Sequence, residues 1–315
     1  MSLTSSPSLP TGTSRLPPSL KSFDRGGSSD DRVVLGDGTA DQATPRGGQE
    51  RDEGENSYAF ALALDPVIAP AEHATLFYTG DKSSALGFLG DICQPNSTQR
   101  GSHYLVPRTS KKTKGSEDLS YLRSKGAFSL PSKELPDELI CLYFRHVHPL
   151  VPIVDAQSFL HQYLEHGTQD VNLLLLWSMF FAAANNSGYQ TRKAMKRAMY
   201  QRAKCLYDSD YEPDQLSLIQ SVILLGFWYT DTEDRTGAWH WIGIAISLSQ
   251  TLGFHRSPES VIDTNRLPER RRRLFRRIWW SCFVRDRWLS LAKGRPMRIN
   301  PNDCDVPLPS MDDIT

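Results

Sequence analysis

The sequence predicts an all-α fold, either a multi-helix antiparallel bundle or a solenoid-like array, behind a disordered N-terminal leader. Three observations lead to this prediction. Apolar residues recur at helical spacing from Leu135 onward, about seven such segments follow one another across short connections, and few segments alternate in the manner of a β-strand. Short connections favour antiparallel neighbours, and 315 residues suffice to bury a substantial core.

Composition divides the chain into four parts. The first is built from Ser, Pro, Gly and charged residues with almost no aromatic side chains, so it cannot bury enough apolar surface to offset the entropy of ordering. The second is apolar but interrupted by prolines, and the third is polar and basic around a short apolar run. The predicted parts are a disordered leader at 1–56, a short docked segment at 57–93, a polar linker at 94–132 and a helical domain at 133–315.

The first two helices of the domain carry start and stop residues. Pro136, followed by two acids, suits a first turn, because its missing N–H is harmless there and the acids face the positive end of the helix dipole. Apolar residues keep helical spacing as far as Val147, and Pro149 ends the element. Asp155 can cap a shorter helix that stops at Gly167.

The next three helices differ in polarity. Residues 171–185 are apolar nearly all round, which predicts a buried helix. Residues 191–207 interleave Lys and Arg with apolar side chains, which predicts a more solvated one. Pro213 and Asp214 indicate the start of another helix that leads to Trp228.

The last two helices are long and well marked. Residues 237–252 place apolar side chains at mostly four-residue steps, which predicts an amphipathic helix. The final helix runs from about Pro268 to Lys293, and Gly294 occupies the usual C-terminal position.

Charge and cysteine usage argue against several classes of protein. The chain has 36 basic and 36 acidic residues, so its overall charge does not attract nucleic acid or a membrane. Five cysteines stand far apart without a C-x-x-C pair, which predicts no zinc site and no cofactor in this chain. Their odd number, without a secretory leader, favours an intracellular compartment. The apolar runs are too short to span a bilayer.

No motif predicts a catalytic residue, so we expect no enzyme. A G-x-S-x-G elbow is missing from the sequence, and no Cys lies in a recognisable nucleophile context. His146 and His148 could offer imidazoles to a metal with Asp155 or His161, but residues two apart on a helix point about 200° apart. Imidazoles that lie favourably near the negative end of a helix dipole are the simpler interpretation.

A basic run opens the last helix and has three open interpretations. It is a solvated helix face, a nuclear import signal or partner contact, or a direct contact with phosphates. A nucleic-acid reader would be expected to carry further basic or stacking residues on one surface, and the zero net charge does not favour one. The run consists of Arg270, Arg271, Arg272, Arg273, Arg276 and Arg277.

Aromatic residues follow the basic run. Trp279, Trp280, Phe283 and Trp288 could line a pocket for a small ligand. Large aromatic side chains on a long helix more often pack in the core or against another helix.

Three charges interrupt the apolar centre of the same helix. Asp286 lies between Arg285 and Arg287, and these charges need partners if the helix is buried. Arg295, in the turn Gly294–Pro296, is the predicted bidentate partner of Asp286.

These residues resemble the fungal-specific transcription factor domain, or middle homology region, of zinc binuclear cluster regulators. The resemblance covers about Leu135 to Pro309, and its pieces occur in the family's order. The leader around 77–93 is also similar to the subset that regulates cutinase genes. The matching stretches are Tyr143–Asp155, Gly237–His255, Arg272–Trp280, Arg285–Ser290, Gly294–Pro296, and Asp303–Pro309 with Asp305.

The resemblance implies a helical regulatory domain of a nuclear transcription factor that controls RNA polymerase II transcription. Such a domain acts through partner contacts, through contacts with other segments of its own protein, or by response to a small-molecule effector. A helical interaction adaptor unrelated to transcription is the alternative. Neither reading requires contact with a membrane.

The chain also departs from the family pattern. Complete members carry six closely spaced cysteines that bind zinc and read DNA, and no such cluster is present in this sequence. The zinc-binding and DNA-binding roles therefore cannot be carried over to any residue here. Because the family domain normally continues into more helices, we expect a fragment or a truncated gene model.

Overall fold

The computed structural model describes residues 74–80, 102–107, 114–132, 134–186, 192–228, 237–257 and 267–313. All of them belong to one compact unit, residues 51–315. The predicted leader at 1–56 lies outside the described residues, as does most of the predicted docked segment at 57–93.

Eight α-helices and one β-hairpin make up the described part of the chain, and the all-α prediction is confirmed for the helical domain. All seven predicted helices are present, within a few residues of their expected ends. The elements are β1 (Ala74–Thr79), β2 (Ser102–Pro107), α1 (Ser116–Ser124), α2 (Glu134–Leu142) continued by a π-helical turn (Tyr143–Val147), α3 (Ala156–His166), α4 (Leu173–Ala183), α5 (Arg192–Asp208), α6 (Gln215–Leu225), α7 (Ala238–Thr251) and α8 (Glu269–Lys293).

The helix ends confirm the start and stop signals in the sequence. The Asp155 carboxylate accepts a hydrogen bond from the Ser158 backbone N–H (3.3 Å) at the start of α3, which ends at Gly167 with φ of 66°. The Asp214 carboxylate caps α6 in the same way, accepting from the backbone N–H of Ser217 at 3.0 Å. These side chains satisfy donors that the first turn of a helix leaves free.

The core is built around α4. Its side chains are buried from Leu174 to Ala183, as expected for a helix that is apolar all round. Helix α4 packs against α2, α5 and α6, then α6 packs against α7, and α7 packs against α8. None of the described helices combines the length and the apolar character needed to cross a bilayer.

The hairpin and α1 were not predicted, because they lie in segments assigned to the docked segment and to the polar linker. The strands pair antiparallel, with Leu76 opposite Leu105. Twenty-two residues separate them, so no short turn marks a hairpin in the sequence. Within α1 only Leu122 is buried, too little for a detectable apolar period.

The hairpin docks on the connection between α7 and α8. The His103 ring donates from Nε2 to the carbonyl of Gly253 (3.0 Å), and the Tyr78 ring lies between His103 (4.9 Å) and His255 (5.2 Å). Gly253 has φ of 73°, and a Cβ there would lie 2.7 Å from the Tyr78 Cβ and 2.8 Å from the His103 Cδ2. This docking therefore requires glycine at 253.

Candidate functional site

The arginine run and the family motif residues of the C-terminal stretch, from Trp279 to Asp305, lie on α8 or on the chain that returns from it, residues 294–313. The helix starts after Pro268 and ends at Gly294, which adopts the left-handed conformation with φ of 60°. A side chain added at Gly294 would meet no atom within 4 Å, so the backbone conformation, and not crowding, favours glycine there. The turn sends the chain back along α8.

Asp286 holds the returning chain. Its side chain is fully buried, and its two oxygens accept hydrogen bonds from the backbone N–H groups of Arg298 (3.0 and 3.2 Å) and Ile299 (3.1 Å). The Arg287 guanidinium donates to the same carboxylate at 2.8 Å. A buried carboxylate is tolerated only with partners of this kind. We call this arrangement the Asp286 clamp.

The predicted pair of Asp286 with Arg295 is wrong. The Arg295 guanidinium lies over the ring of Trp239, 4.9 Å from its centroid, and the Arg298 guanidinium lies over the same ring at 3.3 Å. The buried carboxylate of Asp286 still needs an opposite charge, and the next residue in the sequence, Arg287, supplies it. The sequence gives no indication of Trp239 as the platform for the two arginines.

Arg285 and Arg287 flank Asp286 and point to different neighbours. Buried Arg285 stacks on Phe227 (4.5 Å to the ring centroid) and donates to the carbonyl of Gly226 at 2.7 Å, which ties α8 to the end of α6. Arg287 stacks on Phe283 at 4.3 Å and donates to the carbonyl of Ile299 at 2.6 Å. Both cations are therefore paired with backbone oxygens or a carboxylate.

The aromatic residues that follow the basic run do not come together as a ligand pocket. Trp279 is fully buried and lies beside His255, with 5.5 Å between the ring centroids. Trp280 donates its Nε1–H to the carbonyl of Pro307 at 2.8 Å and contacts Phe283 edge-on. Trp288, by contrast, is 68% exposed. The first two residues pack in the core or against the chain, which is the interpretation that the sequence favoured.

Asp305 and Pro296 secure the returning chain at two further points. The Asp305 carboxylate accepts from the backbone N–H of Ser257 at 2.7 Å, and the Asp305 backbone N–H donates to the carbonyl of His255 at 3.2 Å. The carbonyl of Pro296 accepts from the hydroxyl of Ser290 at 3.2 Å. With the Asp286 clamp, these bonds fix residues 295–307 along α8.

The arginine run is divided among several partners. Arg270 forms a two-point ion pair with Asp155, the cap of α3, with 2.6 Å between Nη2 and Oδ1. Arg277 is buried, and desolvation lowers its pKa. The remaining four contact Glu269, the Phe275 ring or the end of the chain. These contacts are Arg271 with Phe275, Arg272 with Glu269, Arg273 with Glu269 and the carbonyl of Asp312, and Arg276 with Glu269 and Asp313.

The histidines considered as metal ligands do not converge. His146 is exposed, whereas His148 is half-buried, and burial together with the charge of Arg277 lowers the pKa of His148 to about 4. His161 lies 3.3 Å from Glu165 on its own helix, and Asp155 is paired with Arg270. Across the described ranges, no three His, Cys, Asp or Glu residues are placed to hold a metal ion.

Zinc does not fit the cysteines of the described domain. Cys141, Cys205, Cys282 and Cys304 are free thiols on separate elements. Burial raises the pKa of the Cys282 thiol to about 12, which opposes the thiolate form that a zinc ligand requires. The family's zinc cluster therefore has no counterpart among these four residues.

A shallow pocket lies where the hairpin meets α8. It holds about 250 Å³ of empty space, part of which is open to solvent. Leu76, Phe254 and Phe275 line it together with Arg272 and Arg276. Neither the pocket nor the hairpin that forms one wall was predicted.

Comparison with known proteins supports the family that the motif residues resemble. The family model of the fungal specific transcription factor domain matches residues 140–315. Cutinase transcription factor 1 beta of Fusarium vanettenii is 38% identical over 238 residues, 72% of this chain and 26% of that protein. Cutinase transcription factor 1 alpha of the same organism is 32% identical over 287 residues, covering 84% of this chain and 30% of that protein.

A further relative widens the range of named regulators. The acetamidase regulatory protein of Aspergillus fumigatus is 35% identical over 245 residues, 75% of this chain and 30% of that protein. No solved structure matches the chain. The chain thus spans between a quarter and a third of the length of these relatives, and its similarity to the two cutinase factors agrees with the predicted subset. By its helical architecture, its motif residues and the family match over 140–315, the chain belongs to the fungal-specific transcription factor domain family.

Proposed function

We propose that this chain is the regulatory domain of a nuclear transcription factor that controls RNA polymerase II transcription. It acts through contacts with other regulatory proteins, through contacts with other segments of its own protein, or by response to an effector. One observation carries the proposal: the family's motif residues, from Trp279 to Asp305, hold α8 and the returning chain in place. Residues used in this way build a scaffold for binding surfaces, so we propose that the chain is not an enzyme.

In this proposal, DNA is contacted through the family's zinc cluster. That cluster needs six closely spaced cysteines, and the five cysteines of this sequence are far apart. The arginines of α8 are poor substitutes, because a phosphate would have to displace carboxylates that already lie within ion-pair distance of them. We therefore propose that the arginines of α8 do not contact DNA.

An effector that enters the pocket at the hairpin would be small. Only about 20 Å³ of the pocket can hold the centre of a water-sized molecule, far below the roughly 300–1,000 Å³ of sites for drug-sized ligands. Leu76 and Phe275 present apolar surface there, with Arg272 and Arg276 beside them. Arg272 and Arg276 are already paired with Glu269 and Asp313, so an acid that entered the pocket would have to compete with these carboxylates.

A tethering experiment tests the regulatory role. The full chain is fused to an unrelated DNA-binding domain in a fungal host, and a reporter gene with the matching operator is measured. We expect the fusion to raise or lower reporter output several-fold relative to the DNA-binding domain alone. Output equal to that of the DNA-binding domain, at equal protein level and operator occupancy, would favour an adaptor unrelated to transcription.

Nuclear import is tested with the same chain carrying a fluorescent tag. If the arginine run is the import signal, Arg271→Gln with Arg273→Gln should lower the ratio of nuclear to cytoplasmic signal. The contacts of these arginines with the Phe275 ring, Glu269 and the Asp312 carbonyl favour a structural role, so we expect the ratio to stay unchanged and the melting temperature to fall. Lys193→Gln, on the exposed face of α5, is the matched control.

A further inference from the structure

Arg277 of α8 is buried without a partner in the part of the chain that the structure describes. The residue is only 7% exposed, and its Nε–H finds no acceptor there. Its guanidinium forms no hydrogen bond, ion pair or ring contact with any described residue. A guanidinium carries five N–H donors, and a buried charge without a counter-charge is costly. Arg277 therefore lacks a partner that burial normally requires.

The acids around Arg277 are already engaged with other cations. Desolvation lowers the pKa of Arg277, and the charges of Asp155 and Asp313 oppose that effect from beyond ion-pair distance. Asp155 is paired with Arg270, and Asp313 lies 3.3 Å from the guanidinium of Arg276. Three cations therefore share two carboxylates at this place, and the positive charge of Arg277 is the one left without a partner.

The π-helical turn Tyr143–Val147 brings two more polar groups together. The backbone N–H of His148 donates to the carbonyl of Tyr143 at 2.9 Å, five residues earlier. In an α-helix, at about 100° per residue, positions five apart would point about 140° apart. Here the two rings lie 6.1 Å apart between centroids. Neither the buried hydroxyl of Tyr143 nor Nδ1 of His148 has a partner among the described residues. Turns of this kind recur at functional sites.

The charge of Arg277 reaches both groups of the turn. Burial lowers the pKa of His148 to about 4, and the positive charge of Arg277 adds to the effect. Burial raises the pKa of Tyr143, and Arg277 acts in the opposite direction. At neutral pH, His148 is therefore uncharged and Tyr143 keeps its proton. Two hydrogen-bond donors, the guanidinium of Arg277 and the hydroxyl of Tyr143, thus lie close together and lack an acceptor in the described chain.

We propose that Arg277 and Tyr143 bind a small monocarboxylate, such as formate or acetate. A carboxylate can accept two parallel hydrogen bonds from a guanidinium, and its remaining lone pairs can accept from a phenol. Its single negative charge matches the one positive charge that is left over. In contrast to the arginines of the hairpin pocket, Arg277 has no carboxylate that the ligand must displace. As an effector site, this site rests on the regulatory role proposed above, whereas the binding itself does not.

Thermal unfolding of the full chain in sodium acetate tests the site. At about 100 mM, acetate should raise the melting temperature by about 3 °C or more above that in sodium chloride of equal ionic strength, because a ligand that binds only the folded state stabilises it. Sodium formate should act in the same direction. No difference between acetate and chloride would overturn the proposal.

Two variants separate a ligand site from a structural role. Arg277→Met should abolish the effect of acetate and, in chloride, should melt no lower than the parent chain, because it removes a buried cation without a counter-charge. Tyr143→Phe should leave the melting temperature in chloride unchanged and weaken acetate binding by about threefold or more, since the lost hydroxyl has a partner only when acetate is bound.

Arg273→Met, on the same helix and paired with Glu269, is the matched control and should keep the acetate response of the parent chain. A response to acetate that persists in Arg277→Met would refute the site, as would a melting temperature of Arg277→Met well below that of the parent in chloride. These measurements use the purified chain and do not depend on reporter output, so the binding site and the transcriptional role can fail separately.

Discussion

Replacing Asp286 by Asn should destabilise the domain more than any comparable change on its surface. The carboxylate is fully buried and accepts from two backbone N–H groups and from Arg287. Asn keeps one acceptor oxygen but places an NH₂ group against donors. Hydrogen bonds to a charged group contribute about 1.5–3 kcal/mol each, and breaking a buried pair costs about 3–5 kcal/mol.

Two features of Arg287 reduce the cost. Its guanidinium also donates to the carbonyl of Ile299, and its side chain is 25% exposed, so it is not left uncompensated when Asp286 is neutralised. We therefore expect Asp286→Asn to lower the free energy of unfolding by about 2–3 kcal/mol, somewhat less than the cost of breaking a fully buried pair. For a domain of this size that corresponds to a fall in melting temperature of roughly 4–12 °C.

The assay is unfolding by urea and by heat, followed by circular dichroism. Asp303→Asn is the matched control, because Asp303 is an exposed acid on the same returning chain. It should change stability by less than about 0.5 kcal/mol. A loss below that value for Asp286→Asn, or an equal loss in both variants, would refute the clamp.

A double-mutant cycle separates the observed partner from the predicted one. Asp286→Asn combined with Arg287→Met should show a coupling energy of about 1 kcal/mol or more, because the two side chains are in direct contact. Combined with Arg295→Met, whose guanidinium lies on Trp239, coupling should be below about 0.5 kcal/mol. A larger coupling energy with Arg295 than with Arg287 would instead favour the pair that the sequence predicted.

Three further outcomes are expected. Trp280→Leu should loosen the returning chain and cost about 1–3 kcal/mol, and protease cleavage within residues 304–313 should become faster; unchanged cleavage would contradict this. Burial raises the pKa of Cys282 to about 12, so iodoacetamide at pH 8 should alkylate exposed Cys141 and spare Cys282 until the chain unfolds, as peptide mass spectrometry can measure. Burial lowers the pKa of His148 and His255 to about 4, so the unfolded chain takes up protons first, and stability should be complete above pH 6.5 and fall towards pH 4. The summed loss, discounted for solvent screening, is on the order of 1–3 kcal/mol by urea unfolding; a flat profile in the parent chain would contradict it.

Local chemistry made the helices predictable. A carboxylate such as Asp155 or Asp214 reaches the free N–H groups two or three residues ahead, so its role as a cap depends on nothing distant. Gly294 is readable for the same reason, because its positive φ is a property of the backbone at that residue. Signals of this kind place both ends of an element without any knowledge of its neighbours.

Partners that depend on distant packing were not predictable. Arg295, in the turn after α8, was the natural candidate to pair with Asp286, yet its guanidinium lies over Trp239, more than fifty residues away in the sequence. The hairpin was missed for a related reason. What fixes it is the contact of His103 and Tyr78 with Gly253, 150 residues from His103 in the chain, and no local pattern reports such a contact.

The residues that stand out in the sequence are not the ones that remain exposed for binding, and packing explains why. Charges in the middle of an apolar helix attract attention in a sequence because burial makes an unpaired charge costly. That cost also ensures that, once the chain is folded, groups such as Asp286 and Arg285 are bonded to neighbouring parts of the chain. The surface that remains exposed is instead in the C-terminal half of α8, where the apolar side chains of Val284, Trp288 and Leu291 reach solvent. The motif residues of α8 therefore indicate the family, whereas a regulatory contact should be sought at its exposed apolar residues.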